Sequence, residues 1–332
     1  MTHHTEQLSS LRVSGWEIPT AITLPASHDR ELESAILLIP GSLFSDVNGD
    51  YPTWNSFPHV YAHLAHALSA CGHAVFRYAK LGPGTGSVPY DAALAATMRT
   101  WEGRFVIVSA MLGEMQRTLD ERGVRFRRTI AAGHSEGSVV VSRLAVSERG
   151  RSLDGVVLLS GPSIGILGIM REQIATYVEP GQVEEVRARL DKVIGHIRRD
   201  EPIPPELREG PGVGALSAMP DEGRRYMRDV DATDPLELAR AMPQRTLVVQ
   251  GGNDSSVPAH HGEVLRDAFR SRADGDSMTS YLFVPDVTHM FKVVPPEVAG
   301  MEAFGYPGET DRRVTDGIDQ WIRNLSDRWG AR

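Results

Sequence analysis

Short apolar runs recur along the chain and alternate with segments in which apolar residues are spaced three or four positions apart. The runs predict β-strands at residues 11–16, 21–24, 35–39, 74–78, 129–132, 155–160, 246–250 and 281–284. The wider spacing predicts helices at residues 59–70, 105–119, 138–146, 263–269 and 312–325. From residue 35 onward the strands are apolar at nearly every position, as in a sheet covered on both faces. We therefore predict a doubly wound α/β fold with a mostly parallel sheet.

The alternation of strands and helices stops after the strand predicted at residues 155–160. The next predicted strand lies much farther along the chain than an ordinary crossover connection would place it. The intervening segment carries an amphipathic stripe at residues 183–197, which is expected to pack against the rest of the protein. We predict a core domain of residues 1–160 and 243–332, with a helical lid inserted at residues 161–242.

Composition narrows the class of protein and its partners. Apolar residues at 41% and charged residues at 23% are typical of a folded globular enzyme. The net charge of -8 argues against binding to nucleic acid, whose phosphates attract basic proteins. The one cysteine, Cys71, cannot form an internal disulfide and fits a reducing compartment.

Targeting signals are not predicted. Residues 1–10 are polar and lack the basic-then-apolar order of a secretory signal. The longest apolar runs, such as residues 35–39 and 156–159, are far too short to cross a bilayer. We expect a cytoplasmic protein that does not enter the membrane.

The strongest chemical signal is the motif G-H-S-E-G at residues 133–137, which directly follows an apolar run and precedes a helical one. In such a strand–turn–helix unit the serine lies on a tight turn, and the glycines let the two backbones approach. A glycine-rich turn with a capping serine is the alternative, but the flanking strand and helix favour Ser135 as a nucleophile at the carboxyl edge of the sheet.

A serine nucleophile needs a base to take its proton, and His289 lies where this topology supplies one, after the last predicted strand and before the final helix. His260 and His261 are the nearest rivals among the twelve histidines. They begin a helix only a few residues after the predicted acid, which makes them poorer candidates for the base.

The base in turn needs a carboxylate that fixes its tautomer and stabilises its cationic form. Asp254 follows the strand predicted at residues 246–250 and completes the chain order Ser, Asp, His that is expected of this architecture. A role in the turn alone is the alternative for Asp254. Asp286 and Asp234 are weaker candidates for the acid.

An oxyanion hole needs two N–H donors fixed where the tetrahedral intermediate develops its charge. The residue after the nucleophile supplies one, which is the backbone N–H of Glu136. The other is expected in the turn after the strand at residues 35–39, from Ser42 or Leu43. Gly41 would let this turn approach the nucleophile, although a plain Pro-Gly turn without a catalytic role is the alternative.

These residues resemble the motifs of the α/β-hydrolase superfamily, particularly the esterase and serine-aminopeptidase-like branch that carries G-H-S-E-G. The resemblance covers residues 35–325 in architecture and is specific at residues 133–137, at residues 251–258 and at His289. It implies an α/β-hydrolase fold with a catalytic triad. Many relatives have His-Gly at the oxyanion strand end, where this chain has Pro-Gly at residues 40–41.

No cofactor or metal ion is expected. The stretch at residues 46–50 looks like the start of a calcium loop, but Phe57 stands where the final glutamate would be. This stretch is instead interpreted as a polar loop over the mouth of the site. The sequence contains no phosphate loop, dinucleotide glycine motif or clustered set of metal ligands.

The expected reaction is hydrolysis of a carboxylic ester through an acyl-serine intermediate, with a small-molecule acyl substrate as the partner. Peptidase, amidase, thioesterase, carbon–carbon hydrolase and biosynthetic cyclase activities stay open, because one triad serves all of them. A small-ligand-binding protein without turnover is the alternative of another class, and a homodimer stays open. Residues of the lid that are candidates to line the pocket are Met170, Tyr177, Met219, Tyr226 and Met227.

Overall fold

A computed structural model describes residues 4–27, 31–210 and 212–325, except for the side chains of Tyr177 and Ala215. The strands in these ranges are β1 (His4–Val13), β2 (Trp16–Pro25), β3 (Ser34–Ile39), β4 (His73–Tyr78), β5 (Val88–Pro89), β6 (Thr129–His134), β7 (Gly155–Leu159), β8 (Arg245–Gly251) and β9 (Thr279–Val284). The α-helices are α1 (Val60–Ala70), α2 (Ala92–Thr97), α3 (Trp101–Glu121), α4 (Glu136–Val146), α5 (Ile166–Tyr177), α6 (Val183–Arg198), α7 (Gly214–Ser217), α8 (Asp221–Asp231), α9 (Pro235–Ala241), α10 (His260–Arg270), α11 (Gly275–Met278), α12 (Gly300–Phe304) and α13 (Arg312–Arg323).

The strands form one sheet in the order β1-β2-β4-β3-β6-β7-β8-β9, with the short β5 paired to β2. β1, β2 and β4 pair antiparallel, whereas every pairing from β4 across to β9 is parallel. This confirms the predicted doubly wound, mostly parallel α/β class. The order reverses between β3 and β6, so the loops at their carboxyl ends diverge and leave a crevice at that point.

Two hydrophobic cores cover the sheet, one on each face. Along β3, Leu37 and Ile39 belong to the core that contains α3 and α4, whereas Ile36 and Leu38 belong to the core that contains α1 and α13. Alternate side chains of a strand point to opposite faces, so one wholly apolar strand supplies both cores. This double burial explains why the strand apolar runs are continuous.

The amino-terminal end differs from the sequence prediction. A strand was expected at residues 11–16, but Ser14 and Gly15 form a turn there, with φ angles of 48° and 83°. The turn joins β1 and β2 into a long antiparallel hairpin that begins at His4. The prediction of one strand at residues 11–16 is therefore wrong, because the apolar positions on either side of the turn belong to different strands.

A series of helices, α5 to α9, lies between β7 and β8, where the sequence predicts an inserted lid. We call residues 161–242 the helical insertion. Its last helix, α9, packs against α4 and α10 beside the sheet, whereas α5, α6 and α8 pack mainly against one another. The buried side of α6, formed by Val186, Leu190, Val193, Ile194 and Ile197, belongs to the larger hydrophobic core.

Candidate active site

The motif at residues 133–137 forms a strained turn between β6 and α4. Ser135 has φ 55° and ψ -125°, a backbone conformation that a residue with a side chain rarely adopts. A Cβ atom added to Gly133 would lie only 2.1 Å from the carbonyl oxygen of Gly137, so the closest approach of strand and helix requires glycine. The turn places Ser135 at the carboxyl edge of the sheet, at the amino terminus of α4.

The predicted acid and base lie next to each other in the loops after β8 and β9. Nδ1 of His289 is 2.8 Å from Oδ2 of Asp254, and both side chains are buried. Oδ1 of Asp254 accepts hydrogen bonds from the backbone N–H groups of Ser256 at 2.9 Å and Val257 at 2.7 Å. An ionised carboxylate only accepts, so it holds a proton on Nδ1 of His289 and leaves the other ring nitrogen able to act as a base.

His134, the residue before Ser135, joins this turn to the loop that carries His289, the predicted base, which we call the base loop. Its Nε2 lies 3.0 Å from the backbone oxygen of His289, and a carbonyl can only accept, so Nε2 carries the proton. Its Nδ1 then accepts from the hydroxyl of Tyr61 at 3.2 Å. Burial holds the pKa of His134 well below its usual value, so the ring is neutral. The rings of His134 and His289 lie with centroids 4.6 Å apart, which places the base beside the nucleophile turn.

The turn after β3, residues 40–43, contains the predicted second oxyanion donor, and it touches Ser135; we call it the oxyanion turn. A Cβ added to Gly41 would lie 3.0 Å from Cβ of Ser135. The N–H of Gly41 donates to the hydroxyl of Tyr61 at 2.8 Å and is therefore occupied. Proline has no N–H, so Ser42 is the first residue of this turn with a backbone donor to offer. Leu43 follows with a positive φ of 62° and a partly exposed side chain.

The side chain of Glu136 enters a buried cluster on the other side of the nucleophile. Its Oε1 lies 2.8 Å from the hydroxyl of Tyr226, 3.2 Å from Nε of Arg104 and 3.5 Å from Nζ of Lys80. Its Oε2 accepts from the hydroxyl of Ser42 at 3.3 Å. We call Lys80, Arg104, Glu136 and Tyr226 the charged cluster.

Each charge in the cluster changes the proton affinity of the others. Burial alone would raise the pKa of Glu136, but the cations Lys80 and Arg104 outweigh it and lower that pKa to about 2. Burial and then repulsion by Arg104 lower the pKa of Lys80 to about 7, against the attraction of Glu136. The two cations thus explain why the pKa of Glu136 falls, whereas the pKa of Lys80 falls mainly because its ammonium is buried.

The rival residues lie elsewhere and have other partners. His261 contacts the Ser163 hydroxyl at 2.7 Å and Glu172 at 2.9 Å. Asp286 is at the surface, paired with Arg313 at 2.7 Å. Asp234 caps α9 by accepting from the N–H of Leu236. The structure therefore brings Asp254, and not these carboxylates, to His289.

Two other groups of carboxylates and histidines contain possible metal ligands. In the loop at residues 46–50, Oδ1 of Asp46 accepts from the N–H groups of Asn48 and Asp50. The carboxylate of Asp50 is paired with His59, so these oxygens already serve the loop itself. Within the described ranges, one group has ligand atoms all within 4.8 Å of one another, and it consists of Glu172, His260 and His261.

The helical insertion reaches the site at two points. Tyr226 of α8 bonds to Glu136, and Gln173 of α5 donates to the backbone oxygen of Ser256, in the loop that holds the acid, at 2.7 Å. The candidate lining residues Met170, Met219 and Met227 are partly buried against the larger hydrophobic core. The side chain of Tyr177, also a candidate, lies outside the described residues.

Sequence reasoning missed Tyr61, His134, Lys80 and Arg104. Lys80 follows β4 at the carboxyl edge of the sheet, so its place in the chain order could have indicated it. Tyr61 and Arg104 lie on helices, and no local pattern distinguishes them from other helical residues.

Among the helices described, none is long and apolar enough to cross a membrane.

Comparison with known proteins bears on the fold. No family model and no curated protein sequence matches the chain. A soluble variant of monoglyceride lipase from Saccharomyces cerevisiae superposes with a TM-score of 0.57 at 12% identity, over 96% of each chain. A proline iminopeptidase of Mycobacterium smegmatis gives 0.55 at 14% identity, over 96% of this chain and 98% of that one. An esterase of Pyrococcus furiosus gives 0.56 at 10% identity, over 96% and 91%.

The chain has the α/β-hydrolase fold. At these identities the likeness concerns the fold, and one fold hosts many activities. Within the α/β-hydrolase fold of this chain, the loops after β3, β6, β8 and β9 carry the oxyanion turn, Ser135, Asp254 and His289 respectively. The geometry of these four loops, and not the fold, therefore decides which activity is possible.

Proposed function

We propose that this protein is a serine hydrolase that cleaves a carboxylic ester through an acyl-serine intermediate. The observation that carries the proposal is the buried Asp254–His289 pair at 2.8 Å, held through His134 beside a nucleophile turn with a positive φ at Ser135. A strained serine, an oriented base and a buried carboxylate are the parts that activate a hydroxyl. The structural neighbours named as esterase, lipase and iminopeptidase support a hydrolase on this fold.

In the proposed reaction, Ser135 Oγ attacks the ester carbonyl and passes its proton to Nε2 of His289. Asp254 stabilises the imidazolium that forms. The oxyanion is stabilised by the N–H of Glu136, which opens α4 and so has no partner within the helix, and by a second N–H from the oxyanion turn. His289 then returns the proton to the leaving alcohol. Water, activated by the same base, releases the acid and restores Ser135.

The helical insertion is proposed to act as a lid. Its contacts with Glu136 and with the acid loop support this, because they connect α8 and α5 to the edge of the sheet where Ser135 lies. The pocket would then select the acyl group through residues of the insertion. Three expectations from the sequence stay predictions. They are a cytoplasmic location, the absence of nucleic-acid and membrane partners, and the possibility of a homodimer.

Labelling with a fluorophosphonate, followed by peptide mass spectrometry, tests the proposal. An adduct on Ser135 that Ser135→Ala abolishes is the expected result. A folded wild-type protein that takes no label would instead support the small-ligand-binding protein. Ser135→Ala should also lower kcat by on the order of 10³-fold or more.

The class of bond is tested separately. p-Nitrophenyl esters of graded acyl length should be hydrolysed faster than aminoacyl p-nitroanilides. Faster turnover of the anilides would make the protein a peptidase or amidase on the same triad. If the protein is labelled but hydrolyses neither the esters nor the anilides, a thioesterase, a carbon–carbon hydrolase or a cyclase is favoured instead.

A further inference from the structure

The charged cluster lies directly beside Ser135, yet the steps of the proposed reaction do not use its side chains. Lys80, Arg104 and Glu136 are each no more than 11% exposed. Removing charges from water is expensive, and a buried ion pair often contributes little to stability compared with apolar packing. When Lys80 is protonated, which its pKa of about 7 allows up to about neutral pH, two cations and one carboxylate also leave one net positive charge. Stability alone therefore does not explain buried charges next to Ser135, and we look for a role of this cluster in the site.

The cations hold the backbone of the oxyanion turn. Nζ of Lys80 donates to the backbone oxygen of Gly41 at 2.9 Å, and Nη2 of Arg104 donates to the same oxygen at 3.1 Å. Arg104 also donates to the oxygen of Pro40. On the other side, the N–H of Gly41 is held by Tyr61. Both faces of this short turn are therefore fixed by side chains from α1, α3 and the end of β4.

Because the peptide group is planar, the contacts of Lys80 and Arg104 with the Gly41 oxygen also fix the direction of the next N–H, that of Ser42. In a trans peptide the C=O and the N–H point in opposite directions. The unit that joins Gly41 to Ser42 has its oxygen fixed on the two cations, so the N–H of Ser42 is directed away from them. Gly41 itself is in contact distance of Ser135, and its own N–H is occupied.

We propose that Lys80 and Arg104, balanced by Glu136, are positioning residues that orient the Ser42 N–H as the second oxyanion donor. This inference rests on the proposed function and deepens it, because it chooses Ser42 over Leu43. Tyr226 connects the helical insertion to the same device through Glu136. The net positive charge adds to the field that favours the oxyanion.

Kinetics of matched variants test the proposal. Lys80→Met and Arg104→Met each remove one cation that holds the turn. Arg272→Met is the control, because Arg272 holds the backbone oxygens of Met242 and Gln244 in the same way, but at the opposite edge of the sheet. All variants are first compared with the wild type by circular dichroism and urea denaturation.

With a neutral p-nitrophenyl ester, kcat should fall about 10²- to 10³-fold in the first two variants, the loss typical of one oxyanion donor. KM should change little, because that donor is used in the transition state. Lys80→Arg should recover most of kcat, and Arg272→Met should keep it. An unchanged kcat, with KM raised only for anionic esters, would mean that the cluster binds a substrate anion and would overturn the proposal.

A readout that does not require catalysis separates this inference from the proposed function. Hydrogen exchange in a peptide covering residues 37–45 should be faster in Arg104→Met than in the wild type and unchanged in Arg272→Met, because the bond from Gly41 to Tyr61 opens with the turn. If the wild-type protein is not labelled by the fluorophosphonate, the proposed function is wrong. The hydrogen-exchange experiment still tests whether the cations hold the oxyanion turn, because it does not depend on catalysis. Unchanged exchange in Lys80→Met and Arg104→Met would contradict the positioning role.

A second, independent observation is the group formed by Glu172 on α5 and by His260 and His261 at the start of α10. Oε2 of Glu172 lies 2.9 Å from Nε2 of His261 and 3.6 Å from Nε2 of His260. In a tetrahedral site with metal–ligand distances of about 2.0–2.1 Å, two ligand atoms lie about 3.3 Å apart, between these two values. The two pairs formed with Glu172 therefore bracket the spacing of two ligands on one ion, and the ligand atoms of all three residues lie within 4.8 Å of one another.

The chemistry of the group agrees with this geometry. Two imidazoles and one carboxylate are ligands that Zn²⁺ accepts. Nδ1 of His261 lies 2.7 Å from the hydroxyl of Ser163 and accepts from the backbone N–H of Ser163 at 3.3 Å. Binding of a metal ion at Nε2 therefore requires the other tautomer, in which Nδ1 donates to the Ser163 hydroxyl as its outer partner.

We infer that Glu172, His260 and His261 bind a Zn²⁺ ion that joins the helical insertion to α10. Protein treated with EDTA should bind one equivalent of Zn²⁺ in calorimetry, and Co²⁺ should give the visible spectrum of a tetrahedral complex. Glu172→Gln and His260→Ala should each weaken binding by more than about 10-fold. Glu263→Gln, a carboxylate change on the same helix, is the control. No binding, or equal binding in all variants, would overturn the inference.

Discussion

The two residues that flank Ser135 hold the site in different ways. On one side, His134 forms neutral hydrogen bonds with Tyr61 and with the backbone of His289. On the other side, Glu136 is a buried anion between two cations and the hydroxyl of Tyr226. The neutral side leads to the base loop, and the charged side leads to the helical insertion. Both reach the same oxyanion turn, through Gly41 and Ser42 respectively.

The difference teaches how one nucleophile can be connected to two kinds of partner. Neutral hydrogen bonds are directional and individually worth about 0.5–1.5 kcal/mol, so they suit the fixed geometry of a base. Buried charges are strongly coupled, and loss of one leaves the others uncompensated. The charged side should therefore be the more sensitive to mutation and to pH.

The most severe predicted loss is in catalysis and concerns the proposed triad, which the neutral side adjoins at the backbone of His289. Asp254→Asn should lower kcat by about 10⁴-fold, because the amide no longer holds the productive tautomer of His289. The measurement is steady-state hydrolysis of the best p-nitrophenyl ester. Asp286→Asn is the control, since Asp286 is a surface residue paired with Arg313, and it should keep full activity. Equal losses in the two variants would invalidate the assignment of the acid.

The next effect compares the two sides in stability. Glu136→Gln leaves Lys80 and Arg104 buried without their counter-ion and should cost about 3–5 kcal/mol of unfolding free energy. His134→Phe leaves the Tyr61 hydroxyl without its acceptor and removes a donor from the backbone oxygen of His289, and it should cost about 1–3 kcal/mol. Urea denaturation measures both. A larger loss for His134→Phe would reverse the comparison.

The charged side should also respond to acid. The pKa of Glu136 is about 2 in the folded protein against an ordinary value of 4.5, so the folded state binds the proton less readily than the unfolded state. The stabilisation is therefore complete above pH 4.5 and is lost as the pH falls toward 2. Its size is roughly 3 kcal/mol from the interval between the two pKa values.

The measurement for this effect is the unfolding free energy of wild type and Glu136→Gln from neutral pH down to pH 2. Other carboxylates titrate in the same range, so the difference between the two proteins isolates Glu136. The gap should narrow as the pH falls. A gap that stays constant would mean that the ionisation of Glu136 does not contribute to folding.

The smallest expected effect concerns the helical insertion. Tyr226→Phe removes one hydrogen bond to Glu136 and should lower kcat by on the order of 10-fold, the equivalent of about 1.4 kcal/mol. Tyr226→Ala should in addition change the ratio of kcat/KM between long and short acyl chains more than it changes fluorophosphonate labelling. Equal changes for every acyl length would assign Tyr226 a structural role and not one in substrate selection.

Much of the fold was predictable because its strands are buried on both faces. The apolar runs that became β3, β4, β6 and β8 are short, continuous and flanked by turns, so periodicity located them to within one or two residues. The amino-terminal hairpin was not located, because its first strand is largely exposed and polar. An exposed strand needs no apolar residues, so the sequence of this strand has no apolar pattern that would identify it.

The strand–turn–helix around Ser135 could be predicted from the residues alone, as could the chain order that points to Asp254 and His289, because these depend on local turn chemistry and on topology. The surroundings of these residues became known from the folded chain. Tyr226 meets Glu136 across 90 positions and His134 meets His289 across 155. Contacts at such separations depend on how helices pack on the sheet, and no local pattern of apolar and polar residues specifies which buried side chains will meet.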